Sequence, residues 1–176
     1  MRQYWPGPVP PFLVASAAAY VSSSTIADVS PAPQCLLPAG FLEGSTEIEL
    51  WACGQFSTTA TPTLLMGFYY GGVAGVALGA TTAMTCGTAT AWPWQLYYKG
   101  RVRLPGSTGS IVGQGWCHLG TSLTVASLNM LPATAAARTV TIDTTTAKTI
   151  TCGATWGTLS ASNTLTCDEF FMNVLN

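Results

Sequence analysis

Residues 47–72, EIELWACGQFSTTATPTLLMGFYYGG, alternate with a period of two, and that pattern restricts the chain more than any other stretch of it. Ile48, Leu50, Ala52 and Phe56 share one parity while Glu47, Glu49 and Gln55 share the other, the signature of a strand with one buried and one wet face. Leu64, Met66, Phe68 and Tyr70 repeat the pattern after a polar connection, residues 57–62, that can reverse the chain. The expectation is a pair of antiparallel neighbours in one sheet.

The same period recurs downstream. After Trp92, Pro93 and Trp94, the residues Leu96, Tyr98, Val102 and Leu104 alternate with Gln95, Lys99, Arg101 and Arg103, so a cationic side should face water and pair across strands: Glu47 and Glu49 with Arg101 and Arg103. Gly71 and Gly72 signal a turn into a weak strand over 73–78. In residues 110–120, SIVGQGWCHLG, Gly113 and Gly115 predict a close approach by a bulky side chain such as a tryptophan, or a bulge. A short strand is expected over 122–128. TVTID (139–143) and TITCGATW (149–156) predict a hairpin, and residues 163–175 a final strand that ends inside the sheet. With no convincing helix longer than two turns, these segments predict an all-β jelly-roll or Greek-key β-sandwich of about eight strands.

Residues 1–40 break the pattern. They hold prolines 6, 8, 10, 11, 31, 33 and 38, which fix φ and remove backbone donors, so the segment should run extended, or as polyproline II where it passes Pro8 to Pro11 and Pro31 to Pro33. The division expected is an extended N-terminal arm, 1–40, and a sandwich domain, 41–176. Tyr4, Trp5, Phe12 and Tyr20 are the arm's candidate anchors on a neighbouring subunit. Arg2 and the apolar run from Phe12 to Ala19 imitate a secretory leader, but the prolines before them spoil a helical apolar region, and an arm is the expectation.

Only 7% of the 176 residues are charged, against roughly 25% in an average soluble domain. Such a surface protects a lone particle poorly, so the exposed positions must be Thr, Ser and Gly, or other subunits must cover part of them. With a net charge of −1 there is no basic footprint, and no nucleic-acid partner is expected. No run of 18 apolar residues exists, and no membrane partner is expected.

Catalytic chemistry has little to work with. The cysteines at 35, 53, 86, 117, 152 and 167 contain no CxxC pair, so neither a metal centre nor a cofactor is expected. Cys152 and Cys167 read as small buried hydrophobes on neighbouring strands. His118 is the single histidine, and a dyad with Cys117 fails because adjacent strand residues point to opposite faces. Glu47 and Glu49 read as solvated surface carboxylates rather than a glycosidase pair. The chain is expected not to be an enzyme. Trp92, Trp94 and Trp116, with Tyr97, are the candidates for a sugar-stacking platform, against the plainer role of core plugs or subunit anchors.

LWACGQFSTTATPTLLMGFYYGGVAG (50–75), GSIVGQGW (109–116) and ATAAARTVTIDTTTAKTITCGATW (133–156) together resemble structural virion proteins of tailed bacteriophages, Thr/Gly/Ala-rich β-sandwich proteins, over residues 45–175. The resemblance implies a capsid decoration, or cement, subunit. Such a subunit would sit on the outer capsid surface of the virion as a homotrimer, with the major capsid protein as its partner. The alternative it implies is a minor tail component, a receptor- or glycan-binding module using Trp92, Trp94 and Trp116. The Pro-rich arm and the six cysteines depart from that pattern.

Overall fold

The structure, a computed structural model, describes residues 12–13, 20–21, 23–30, 35–122 and 124–175. Four short strands come first: β1 (Phe12–Leu13), β2 (Tyr20–Val21), β3 (Ala27–Asp28) and β4 (Cys35–Leu37). The body follows as β5 (Glu47–Thr58), β6 (Thr63–Tyr70), β7 (Val76–Ala80), β8 (Met84–Thr85) and β9 (Ala89–Leu104). It continues with β10 (Gly109–Gly120), β11 (Ala126–Leu131), β12 (Thr139–Ile142), β13 (Lys148–Trp156) and β14 (Thr164–Leu175). Among the described residues nine strands have four residues or more, and a single 3-10 turn, Ala136–Arg138, precedes β12.

All pairings are antiparallel, in two sheets that pack as a β-sandwich. One sheet runs β1-β14-β5-β9-β10-β11, with β2 also on β14 and β12 also on β10. The other runs β3-β13-β6-β7, with β4 also on β13 and β8 also on β6. The last strand returns beside β5, the long-range closure of a Greek-key arrangement. Each sheet border is made of two or more short strands in succession, which leaves little continuous edge for a foreign strand to extend.

Burial follows sequence parity along β5, where Ile48, Leu50, Ala52 and Phe56 are almost fully buried and Glu47, Glu49, Trp51, Cys53 and Gln55 of the other parity are not. The two sheets meet through side chains such as Phe68 of β6 and Phe170 of β14, stacked with centroids 5.7 Å apart. Trp94, Trp156, Tyr98 and Phe56 are among the largest fully buried residues. Tyr98 fits because glycine stands where its ring passes: Gly100 and Gly113 face one another across β9 and β10, and a Cβ at Gly113 would collide with the Tyr98 hydroxyl. The bulky neighbour expected at Gly113 is therefore a tyrosine. The register shift in β10 lies between Ser110 and Ile111, away from the glycines.

Several expectations about partners are corrected. Strands β5 and β6 are not paired: β5 lies between β14 and β9, and β6 between β13 and β7. Period two says which face a residue occupies, not which strand lies alongside. The connection through Pro62 crosses the roughly 10 Å between packed sheets. The expected hairpin of residues 139–156 also separates, β12 joining β10 and β13 joining β6. Buried Thr144 holds that crossing: its N–H donates to the Gly106 carbonyl at 3.0 Å, its hydroxyl accepts from the Gly106 N–H at 2.8 Å, and its carbonyl accepts from Gly40. On the other side the Tyr70 hydroxyl donates to the Asp143 carbonyl at 2.8 Å. Cys152 and Cys167 are both buried, but on strands of opposite sheets rather than neighbouring ones.

The packed body also begins before residue 41. Val29, Cys35 and Leu37 belong to the core, β3 and β4 extend β13, and Ser30 accepts a hydrogen bond from the Cys152 N–H at 2.6 Å. Prolines 31 and 33 had suggested a continuous arm, yet the apolar residues on either side of them are the ones that find the core.

Candidate functional site

The outward parity of the larger sheet is unusually apolar for a solvent face. Register aligns Phe171 of β14, Trp51 of β5, Tyr97 of β9, Trp116 of β10 and Met130 of β11 in one row across five strands. Directly opposed residues in antiparallel strands lie within side-chain contact, so the row forms a band. Its centre is tightly associated. Tyr97 and Trp116 are near-parallel with centroids 5.5 Å apart, while Trp51 stands edge-on to both, at 6.5 and 6.1 Å. These rings are only partly covered.

The next row toward one end holds Glu169, Cys53, Gln95, His118 and Leu128 in the same strand order. His118 tilts against Trp116, with centroids 4.5 Å apart. Leu128 and Met130 are among the most exposed large hydrophobic residues, at 60% and 58%, and they carry the apolar surface out to the β11 edge.

Ion pairs line the other flank. Lys99 bridges Glu49 at 3.3 Å and Glu47 at 3.4 Å, and Arg101 lies 3.9 Å from Glu47. The expected cross-strand pairing of Glu47 and Glu49 with Arg101 and Arg103 forms in part: Arg101 stands opposite Glu47, and Lys99 rather than Arg103 stands opposite Glu49. The Tyr97 hydroxyl donates to Glu49 at 3.3 Å. Burial and then the nearby Glu49 carboxylate push the Tyr97 phenol above its ordinary range, so it stays a donor. Beside these residues lies a shallow depression of about 310 Å³ lined by Glu47, Lys99, Arg101, Val112, Gln114 and Arg138.

The tryptophans named from the sequence do not converge. Trp94 is 1% exposed in the core, its indole N–H donating to the Thr166 carbonyl at 3.0 Å, and Trp92 packs edge-on against Phe56 at the core's rim. Both have the inward parity of β9, whereas Trp116 has the outward parity of β10. The residues that do join Trp116 are Tyr97, Trp51, Phe171 and His118. Trp51 was legible as a member, since it shares parity with Glu47 and Glu49. Among the arm candidates, Tyr4 and Trp5 lie outside the described residues. Phe12 sits in β1 opposite Phe170. Tyr20 packs against the chain's own core, its hydroxyl within 3.3 Å of the Ser23 and Thr25 carbonyls.

The thiols offer no activated nucleophile. Burial raises Cys35 to about 11 and both Cys86 and Cys117 to about 12, and it raises Cys152 and Cys167 as well. Cys53, partly exposed beside the band, is raised by burial and then by Glu169. Among the described residues no three His, Cys, Asp or Glu side chains gather as metal ligands. What the face can do is bind, by stacking and apolar burial with hydrogen bonds at its rim. Comparison with protein-family models, curated proteins and solved structures returned no match for this chain.

Proposed function

We propose that this chain is a non-enzymatic structural subunit of a tailed-bacteriophage virion, a decoration protein that binds the outer capsid surface and works as repeated copies. The supporting observation is the aromatic and apolar band from Phe171 to Met130 on the outward face of a sandwich whose sequence is only 7% charged. A face of that composition gains from being covered. Covering roughly 300 Å² of apolar area at about 25 cal/mol per Å² yields about 7 kcal/mol, which only offsets the roughly 4–15 kcal/mol cost of association. One such contact is weak, and a shell of them linked through shared subunits is strong. The proposed partners are the major capsid protein and further copies of the chain, as a homotrimer. Immunogold electron microscopy of particles from cells that produce the chain tests this reading. Label distributed over the shell is the expected result, and label restricted to the tail, or absent from particles, overturns it.

A receptor- or glycan-binding tail module is the second reading, favoured by the partly exposed rings of Trp51, Tyr97 and Trp116 beside the polar groups of Glu49, Gln95 and Gln114. A glycan array decides it: saccharide binding lost in Trp116→Ala, together with tail label, favours the module over the decoration subunit.

A further inference from the structure

The band needs a cover of particular shape, and the sequence holds one. We propose that residues 4–11 of one copy, YWPGPVPP, dock on the band of Phe171, Trp51, Tyr97 and Trp116 of a neighbouring copy, as proline-rich ligands dock on aromatic-lined surfaces. This rests on the reading of the chain as a repeated subunit and names the contact between its copies.

Three observations carry it. First, chemistry: a cluster of partly exposed aromatic rings is the kind of surface that polyproline II segments recognise, and Pro8 and Pro11 stand in the PxxP spacing. Second, length: eight residues in polyproline II span about 25 Å, against about 19 Å for the four interstrand spacings from β14 to β11. Third, charge: Arg2 is the sole charged side chain among residues 1–19, and Asp168 and Glu169, at the β14 end of the face, have no ion pair among the described residues.

The direction of β1 selects a second copy over the same one. Phe12 opposes Phe170 and Leu13 opposes Glu169, so β1 runs antiparallel along β14, whereas the band runs across the strands. Reaching the band of its own sheet would require a right-angle turn at Pro10 and Pro11, whose fixed φ stiffens the segment. A neighbour's band imposes no such turn.

Sedimentation velocity on the full chain tests the contact. The face variant is Trp51→Thr with Trp116→Thr, and the arm variant is Trp5→Ser with Pro8→Ser, Pro10→Ser and Pro11→Ser. Each is expected to self-associate at least about tenfold more weakly than the unaltered chain, as loss of an aromatic anchor does at other interfaces. An equimolar mixture should regain association, because one partner keeps the arm and the other the face. A synthetic peptide of residues 1–13 should dissociate the unaltered assembly, and it decides the matter even where the face variant unfolds. Association that survives both variants and the peptide overturns this contact and leaves the repeated-subunit reading standing. A chain that stays a single particle at high concentration overturns both.

Discussion

Tyr98 shows how one side chain can dictate its neighbours. Its ring occupies a slot that exists because positions 79, 100 and 113 lack a Cβ, and its hydroxyl is buried without a hydrogen-bond partner among the described residues. Burial accordingly raises its phenol well above the ordinary range. An unpaired buried hydroxyl is a cost, so Tyr98→Phe should raise stability by about 1 kcal/mol, read as a higher urea midpoint with unchanged slope. Gly113→Ala should lower it by about 2 kcal/mol or more, since the new methyl has nowhere to go. The thiols respond to the same burial. With Cys35, Cys86 and Cys117 at about 11 to 12, native protein at pH 8 should take up iodoacetamide at Cys53 alone, whereas urea-unfolded protein takes up six equivalents by mass. Rapid labelling of any core cysteine in the native state would contradict the packing. The glycine slot was legible as a need for room at Gly113, while its occupant was not, because Tyr98 comes beside Gly113 only through the register of β9 on β10.

At the scale of elements, alternation located the long strands and left their partners open. Residues 95–104, 110–120 and 163–175 fall within strands β9, β10 and, apart from Asn163, β14. The separations of β5 from β6 and of β12 from β13 depend on contacts remote in sequence, such as Thr144 with Gly106 and Tyr70 with Asp143, and local pattern carries no record of them. The leading segment divides in the same way. Residues 20–37 supply core through Val29, Cys35 and Leu37, so removing residues 1–40 should abolish the cooperative transition, each large apolar side chain contributing about 1.5–3 kcal/mol of burial. Removing residues 1–11 should leave a cooperative transition, with the midpoint lowered only by the share that association contributes. Differential scanning calorimetry of the two truncations checks both outcomes, and equal loss in both would mean that the sandwich depends on the first eleven residues.

For the whole molecule, the scarcity of ionic groups is the property with the widest consequences. Association through an aromatic band should respond little to sodium chloride between 50 and 500 mM, beyond the screening length of exposed pairs, and should strengthen in ammonium sulfate. Light scattering across the two salt series measures this, and dissociation by sodium chloride would point instead to ionic contacts, through Arg2 with Asp168 and Glu169 or through the Lys99, Glu47 and Glu49 flank. By itself the amino-acid order determined that the chain is all-β, which residues face inward along each strand, and that its surface is nearly uncharged, because these follow from side-chain chemistry and a two-residue repeat. Only the tertiary structure decided that Trp94 enters the core while Phe171, Trp51, Tyr97 and Trp116 meet on one outer face. The physical reason is that meeting across strands requires a register and a sheet order, and both are set by contacts between residues far apart in the chain.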